Sequence, residues 1–232
     1  WRFYLRKGVK FHDGTDFTAE AVRRSIMRMI DPEKGLPRGA DIKFIDSVDV
    51  VDDHTVEIKT KQPVGPFLAY VAMDTMSILS PASLDQWNND IGWHPVGTGP
   101  FKFESYVPEE SITVVRNEDY WGEPAYLDSI IFKTVPEDAT RLTMLEAGEA
   151  DIVVNLPAYQ ISRFEGSPNV EVRVDQCTRV AHIGFNCLSE PFDDVRVRQA
   201  MNYAVDKEAL VTGILTGLGE PAHSVFAPAT WG

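Results

Sequence analysis

WRFYLRKGVKFHDG (residues 1–14), followed by FTAEAV (residues 17–22), opens the chain with two periodicities in succession. Trp1, Phe3 and Leu5 alternate with Arg2, Tyr4 and Arg6, the period-two pattern of a half-buried strand. His12-Asp13-Gly14 then supplies turn chemistry, because Gly accepts positive φ and Asp bonds its own backbone. Thr18 is a good helix N-cap and Glu20 suits the first turn. Val22, Ile26, Met29 and Ile30 fall on one helical face. Asp31-Pro32 ends that helix, since the residue before proline avoids the helical region.

The same strand-and-helix alternation continues outward. Val48 and Val50, then Val56 and Ile58, flank Asp52-Asp53-His54 and predict a hairpin. Ser80-Pro81 opens a short helix through Trp87. Gly97-Thr98-Gly99-Pro100 is the strongest punctuation in the chain and a candidate domain crossing. Residues 101–107 and 111–116 predict a second strand pair, and 129–135 a buried strand. Asp138 is placed to cap a helix carrying Leu142 and Leu145, with Gly148 at its C-terminal end. Short strands are predicted at 151–154, 170–174 and 183–185. A helix over 194–205 puts Val197, Ala200, Met201 and Ala204 on one face, and Asp206 caps another with Leu210 and Ile214 inward. The fold class is therefore α/β or mixed α+β.

The 232 residues are 44% apolar, enough for one large core or two small ones. Lys and Arg total 22 against 35 Asp and Glu, a net charge of -13. That acidity reads as a solvated surface and argues against nucleic acid, which needs a basic patch. The least polar long stretch, 63–84, contains three prolines and Asp74, which disfavours a membrane span. No leader is visible, but the chain opens within a strand pattern and stops in a loop pattern. Both ends read as cut, so a missing leader carries no information about location.

Catalytic motifs are missing from the sequence: no nucleophile elbow, no HExxH, no phosphate loop. Gly97-Thr98-Gly99 starts like a dinucleotide fingerprint, but Lys102 stands where the third glycine belongs. Among His12, His54, His94, His182 and His223, no two have metal-ligand spacing on one predicted element. His12 and His54 fall in turns and read as solvated. Asp52-Asp53, Glu109-Glu110 and Asp193-Asp194 sit at turns or helix starts, where capping explains them better than acid/base chemistry. No catalytic residue, metal or cofactor is expected. Cys177 and Cys187 read as two small buried residues.

Four segments carry a resemblance: 1–22 as quoted; VGTGPFKF at 96–103; VVRNEDYWGEPAYLDSIIFKTVPEDATRLTMLEAGEADIV at 114–153; and FNCLSEPFDDVRVRQAMNYAVDKEALV at 185–211, with GEPA at 219–222. In this order and spacing they resemble the peptide/nickel/oligopeptide-binding family of ABC-importer receptors, extracellular solute-binding protein family 5. The physical content of these segments is mostly structural: a strand and tight turn, a loop with an aromatic anchor, and a capped helix pair. Arg196 and Arg198 flank the buried face of that pair and are expected to meet nearby carboxylates.

The resemblance implies a two-lobed periplasmic-binding-protein fold of the class II type, incomplete in this chain. Residues 1–95 match the smaller subdomain of lobe one, 96–180 part of its main subdomain, and 181–232 the crossing into lobe two. It implies an extracytoplasmic receptor, periplasmic or lipid-anchored on the cell surface, that captures di- or oligopeptides between its lobes and hands them to an ABC permease. Membrane association would come only through the permease or an anchor outside this chain. Three loops should face the cleft. They carry Met73, Asp74, Met76 and Ser77; Asn155 and Tyr159; and Arg179 and His182. Asp74, Asn155, Tyr159 and His182 are the expected polar contacts, with Met73 and Met76 as apolar lining or core. The same scaffold could take a nickel chelate or an oligosaccharide, and the reading from another class is a peptidase-like enzyme. In some relatives the position matching Cys177 bonds a second-lobe cysteine, which would lie beyond Gly232.

Ten positions separate Cys177 from Cys187, and a continuous strand would hold them roughly 33 Å apart. No Gly, Pro, Asn or Asp lies between Arg179 and Ala181 to fold a tight turn. The two are expected not to bond each other. Thiol titration of the unfolded, non-reduced chain should find both sulfurs outside any mutual bridge.

Overall fold

β3 (Thr55–Thr60) occupies the centre of a three-stranded antiparallel sheet. β1 (Arg2–Tyr4) lies on one edge with Phe3 opposite Val56, and β2 (Ile45–Asp52) on the other with Val48 opposite Ile58. The expected hairpin turn is closed by Asp52, whose carboxylate accepts the His54 amide at 2.8 Å. The computed structural model describes residues 1–230, and the chain divides into two compact units, Trp1–Thr134 and Val135–Gly232.

In the first unit, α1 (Ala19–Ile30) lays Val22 and Ile26 into one buried cluster with Val48, Val56 and Ile58. Met29 and Ile30, on the same face, pack at its margin. Thr18 stands at the N-cap, but its side chain makes no capping bond. The helix start is fixed instead by a tertiary bond, from the Ala19 amide to the Asp53 carbonyl in the hairpin turn at 2.8 Å. Phe67, which opens α2 (Phe67–Val71), is fully buried. Trp1 stacks on it at 4.6 Å between centroids, and Phe3 and Phe44 close around it at 6.2 Å each. Ser80 caps α3 (Pro81–Trp87) by accepting the Ser83 amide at 3.3 Å, and Pro81 takes the first helical position, where no amide is needed.

A second antiparallel sheet has the order β4 (Phe101–Val107), β5 (Ser111–Arg116), β6 (Ser129–Lys133). The expectation of a buried strand over 129–135 is corrected here. β6 is an edge strand, and Ile131 and Phe132 are each 56% exposed because no described element covers them.

In the second unit, α4 (Asp138–Ala147) begins after Glu137. Asp138 does not cap it; its carboxylate pairs with Arg141 one turn on. Gly148 ends the helix at φ 72°, a left-handed conformation that costs glycine little. α5 (Val195–Ala204) and α6 (Lys207–Gly213) are capped as expected: Asp194 accepts the Arg196 amide at 2.8 Å and Asp206 the Ala209 amide at 2.9 Å. Arg196 pairs with Asp194. Arg198 departs from expectation, donating to the carbonyls of Phe192 at 2.6 Å and Asp193 at 3.0 Å and not to a carboxylate.

The strands expected at 151–154, 170–174 and 183–185 are absent from the described residues. A strand exists only where a neighbour completes its hydrogen-bond ladder, and no described segment does so here. Ile152, Val174 and Ile183 stay more than half exposed. Neither α5 nor α6 has a buried residue, so Leu210 and Ile214 face outward in this chain. Cys177 and Cys187 do not bond each other, as expected, but both are exposed where the sequence suggested burial.

Phe67→Ala would remove the side chain on which three aromatic rings close. The expected cost is about 3–5 kcal/mol, the usual range for truncating a buried Phe, read as a fall in the urea midpoint at unchanged slope.

Candidate ligand-binding surface

The first expected loop forms a single turn of 310 helix, Asp74–Met76, directly after α2. Asp74 holds the turn with its own groups. Its carboxylate accepts the Thr75 amide at 2.7 Å, and its carbonyl accepts the Ser77 hydroxyl at 2.6 Å. The Asp74 carboxylate stays exposed, while Met76 is 6% exposed and belongs to the core cluster. Met73 is half-buried, with its sulfur 4.0 Å from an Arg38 nitrogen. The four residues thus come together as one turn, anchored from beneath by Met76.

The other four belong to the second unit. Asn155 is exposed at φ 58°, a conformation Asn tolerates better than most residues. Tyr159 is 64% exposed near the start of the 310 stretch Ala158–Phe164. Phe164, at the end of that stretch, is buried and anchors it, and Arg163 ties it to α4 through Glu146 at 2.7 Å. Arg179 and His182 are exposed in a segment without regular structure. Among the described residues no group of three or more His, Cys, Asp or Glu side chains is arranged to hold a metal.

A polar network that the sequence reading missed lies in the first unit. His12 was read as solvated, but it is half-buried and bonded on both ring nitrogens. Nε2 meets the Gly99 carbonyl at 3.0 Å, and Nδ1 accepts the Gly97 amide at 3.4 Å. From the other side the Asn117 amide group donates to the same Gly99 carbonyl at 3.1 Å, and the Trp121 indole donates to the Thr98 carbonyl at 2.9 Å. Arg6 lies over the Trp121 ring at 4.6 Å. The 97–100 segment is therefore clamped by the first turn of the chain and by the NEDYWG loop at 117–122. Asp13 adds a further tie, accepting hydrogen bonds from the hydroxyls of Ser80 and Thr15. Burial depresses the His12 pKa below its ordinary 6.5, helped by Lys102. Burial works to raise the Asp13 pKa, but the bonds from Ser80 and Thr15 outweigh it and hold the carboxyl below 3.8.

The sequence matches the family profile for bacterial extracellular solute-binding proteins, family 5 (middle region), over residues 1–232. The chain belongs to this family. The glutathione-binding protein GsiB of Escherichia coli O1:K1 is 37% identical over 227 residues, covering 97% of this chain and 44% of the relative. The dipeptide-binding protein of a Pseudoalteromonas species, solved with Met-Leu, has a TM-score of 0.90 at 26% identity, covering 99% of this chain and 50% of that one. NikZ from Campylobacter jejuni, solved with Ni(L-His), has a TM-score of 0.82 at 25% identity, covering 93% and 44%. The chain thus spans about 44% of the length of the curated relatives it matches. These relatives are solute-binding receptors and not enzymes, and the family is extracytoplasmic. No described helix is long and apolar enough to cross a membrane.

The sign of the His12 contribution follows from its depressed pKa. The unfolded chain binds the proton more readily, so the stabilisation is full above pH 6.5 and is lost as pH falls towards the folded-state value. Asp13 contributes above 3.8 and loses its contribution as pH falls below that value. Thermal melting from pH 7.5 to 5 should show a stability loss that His12→Gln flattens. At neutral pH the same substitution should cost about 1 kcal/mol, the net value of a hydrogen bond.

Proposed function

We propose that this chain is part of the substrate-binding receptor of an ABC importer, and that the receptor captures short peptides and delivers them to a membrane permease. The match to a glutathione-binding protein at 37% identity across 97% of the chain carries this reading, and the Met-Leu complex of a structural neighbour supports it. Glutathione is itself a tripeptide-like solute, so both relatives point to ligands of two or three residues.

In this reading residues 1–95 belong to the smaller subdomain of the first lobe, 96–180 to its main subdomain, and 181–232 to the crossing into the second lobe. The turn at Met73, Asp74 and Ser77 and the segments carrying Asn155, Tyr159, Arg179 and His182 face the ligand. Their chemistry suits a peptide. Asp74 offers a carboxylate to an ammonium or amide N–H, Asn155 and His182 can donate and accept, and Tyr159 presents an apolar ring with a polar tip. Arg179 offers a fork to a carboxylate terminus. Met76 acts from below, as the apolar anchor of the turn. The second reading, a metal chelate, rests on the Ni(L-His) complex of NikZ.

Mass spectrometry and elemental analysis of what copurifies with the full-length protein separate the two: short peptides support the first, stoichiometric nickel the second. Calorimetry with glutathione and a set of dipeptides should then give micromolar or tighter binding. Asp74→Asn and Tyr159→Ala should each weaken it about tenfold or more, the loss of one charge-assisted or aromatic contact. Residues 1–232 alone should bind no better than about millimolar, because a few solvated hydrogen bonds barely offset lost translational freedom. Micromolar binding by residues 1–232 would overturn the enclosed-cleft reading.

A further inference from the structure

Between the later turns of α1, the 310 turn Pro32–Lys34 and the end of α3 lies an open cavity of about 750 Å³. Its charged lining is cationic. Arg23, Arg24, Arg28 and Lys34 outnumber Asp31 and Asp85 by two, in a chain whose net charge is -13.

The four cations are not equally engaged. Arg23 grips the Glu20 carboxylate at 2.8 and 2.7 Å, and Arg24 grips both oxygens of Asp85. Arg28 and Lys34 have no carboxylate partner among the described residues. Both converge on Asn88: Arg28 donates to its carbonyl at 3.3 Å and Lys34 to its side-chain oxygen at 2.8 Å. Arg28 Nε is buried with no hydrogen-bond partner. A guanidinium carries five N–H donors and an ammonium three, so beyond these bonds the donors of both side chains are open to solvent or to a ligand. A buried donor without a partner is one that a bound acceptor would satisfy. Asn88 itself sits at φ 45°, outside the region favoured by side chains, and such residues cluster at ligand clamps. Met27, Ile30 and Leu84 complete the lining with apolar surface.

The geometry points to an organic-anion site: Arg28 and Lys34 bind one carboxylate or phosphate group, and Met27 and Ile30 carry the apolar body. Two oxygens of a carboxylate or of a phosphate match the guanidinium fork. A cavity of about 750 Å³ is of ligand size and much larger than an inorganic ion needs. Every lining residue lies within Trp1–Thr134, and none is among the proposed peptide contacts. The site thus shares no residue with the proposed solute-binding surface, on which this inference does not rest.

Full-length protein is titrated at low ionic strength with phenyl phosphate, inorganic phosphate and benzyl alcohol, and with glutathione in parallel. Phenyl phosphate is expected to bind more tightly than either single-feature probe, to weaken as salt rises, and not to compete with glutathione. Arg28→Gln combined with Lys34→Gln should weaken it about tenfold or more, the loss of charge-assisted bonds. Lys10→Gln, a charge change outside the cavity, should leave it unchanged. Asp85→Asn frees Arg24 and should tighten binding, a gain that misfolding cannot imitate. Absence of phenyl phosphate binding, equal binding by the double variant, no gain from Asp85→Asn, or competition with glutathione overturns the proposal. Glutathione binding that persists in the double variant keeps this result independent of the receptor reading.

Discussion

β3 carries a bonded strand on each edge, so Val56 and Ile58 are directed to one face of the sheet and must be covered there. Much else in the first unit follows from that constraint. α1 covers the face with Val22 and Ile26, and helical periodicity then turns Arg23 and Met27 outward on its other side. Met76 joins the same cluster and so fixes the turn that presents Asp74. The core below and the polar surface above are two consequences of one packing decision.

The second organising feature is polar. The 97–100 segment joins the two sheets of the first unit in sequence, and side chains from both directions hold its backbone. His12 reaches it from the first turn, and Asn117 and Trp121 reach it from the loop after β5. Two of these side chains share the Gly99 carbonyl. Carbonyls left facing a partly buried space need such donors.

The second unit shows the opposite situation. α5 and α6 are capped by Asp194 and Asp206, yet they bury nothing, and apolar residues at Ile152, Val174 and Ile183 stand open. Caps are local and need only the residues beside them. Strand ladders and buried helix faces need partners remote in sequence. The chain spans about 44% of the length of its relatives, and an isolated segment with strand composition cannot pair with itself.

What the sequence alone determined was everything set by local periodicity and turn chemistry. The β2–β3 hairpin, the α1 face, the helix start at Ser80-Pro81, the Asp194 and Asp206 caps, and Gly148 at the helix end were all legible. Each depends on residues within a few positions of one another. The four family segments were legible too, because their order survives at moderate identity. Only the tertiary structure decided the rest. It left Thr18 and Asp138 without capping roles: the Ala19 amide is met by the Asp53 carbonyl, and the Asp138 carboxylate pairs with Arg141. It turned β6 into an exposed edge and placed Met76 in the core. It drew His12 out of solvent and gathered Arg28 and Lys34 around Asn88, which lies 60 and 54 positions away in sequence. Separations of that size carry no periodic signal, so residues that meet this way are joined by packing and cannot be read from spacing.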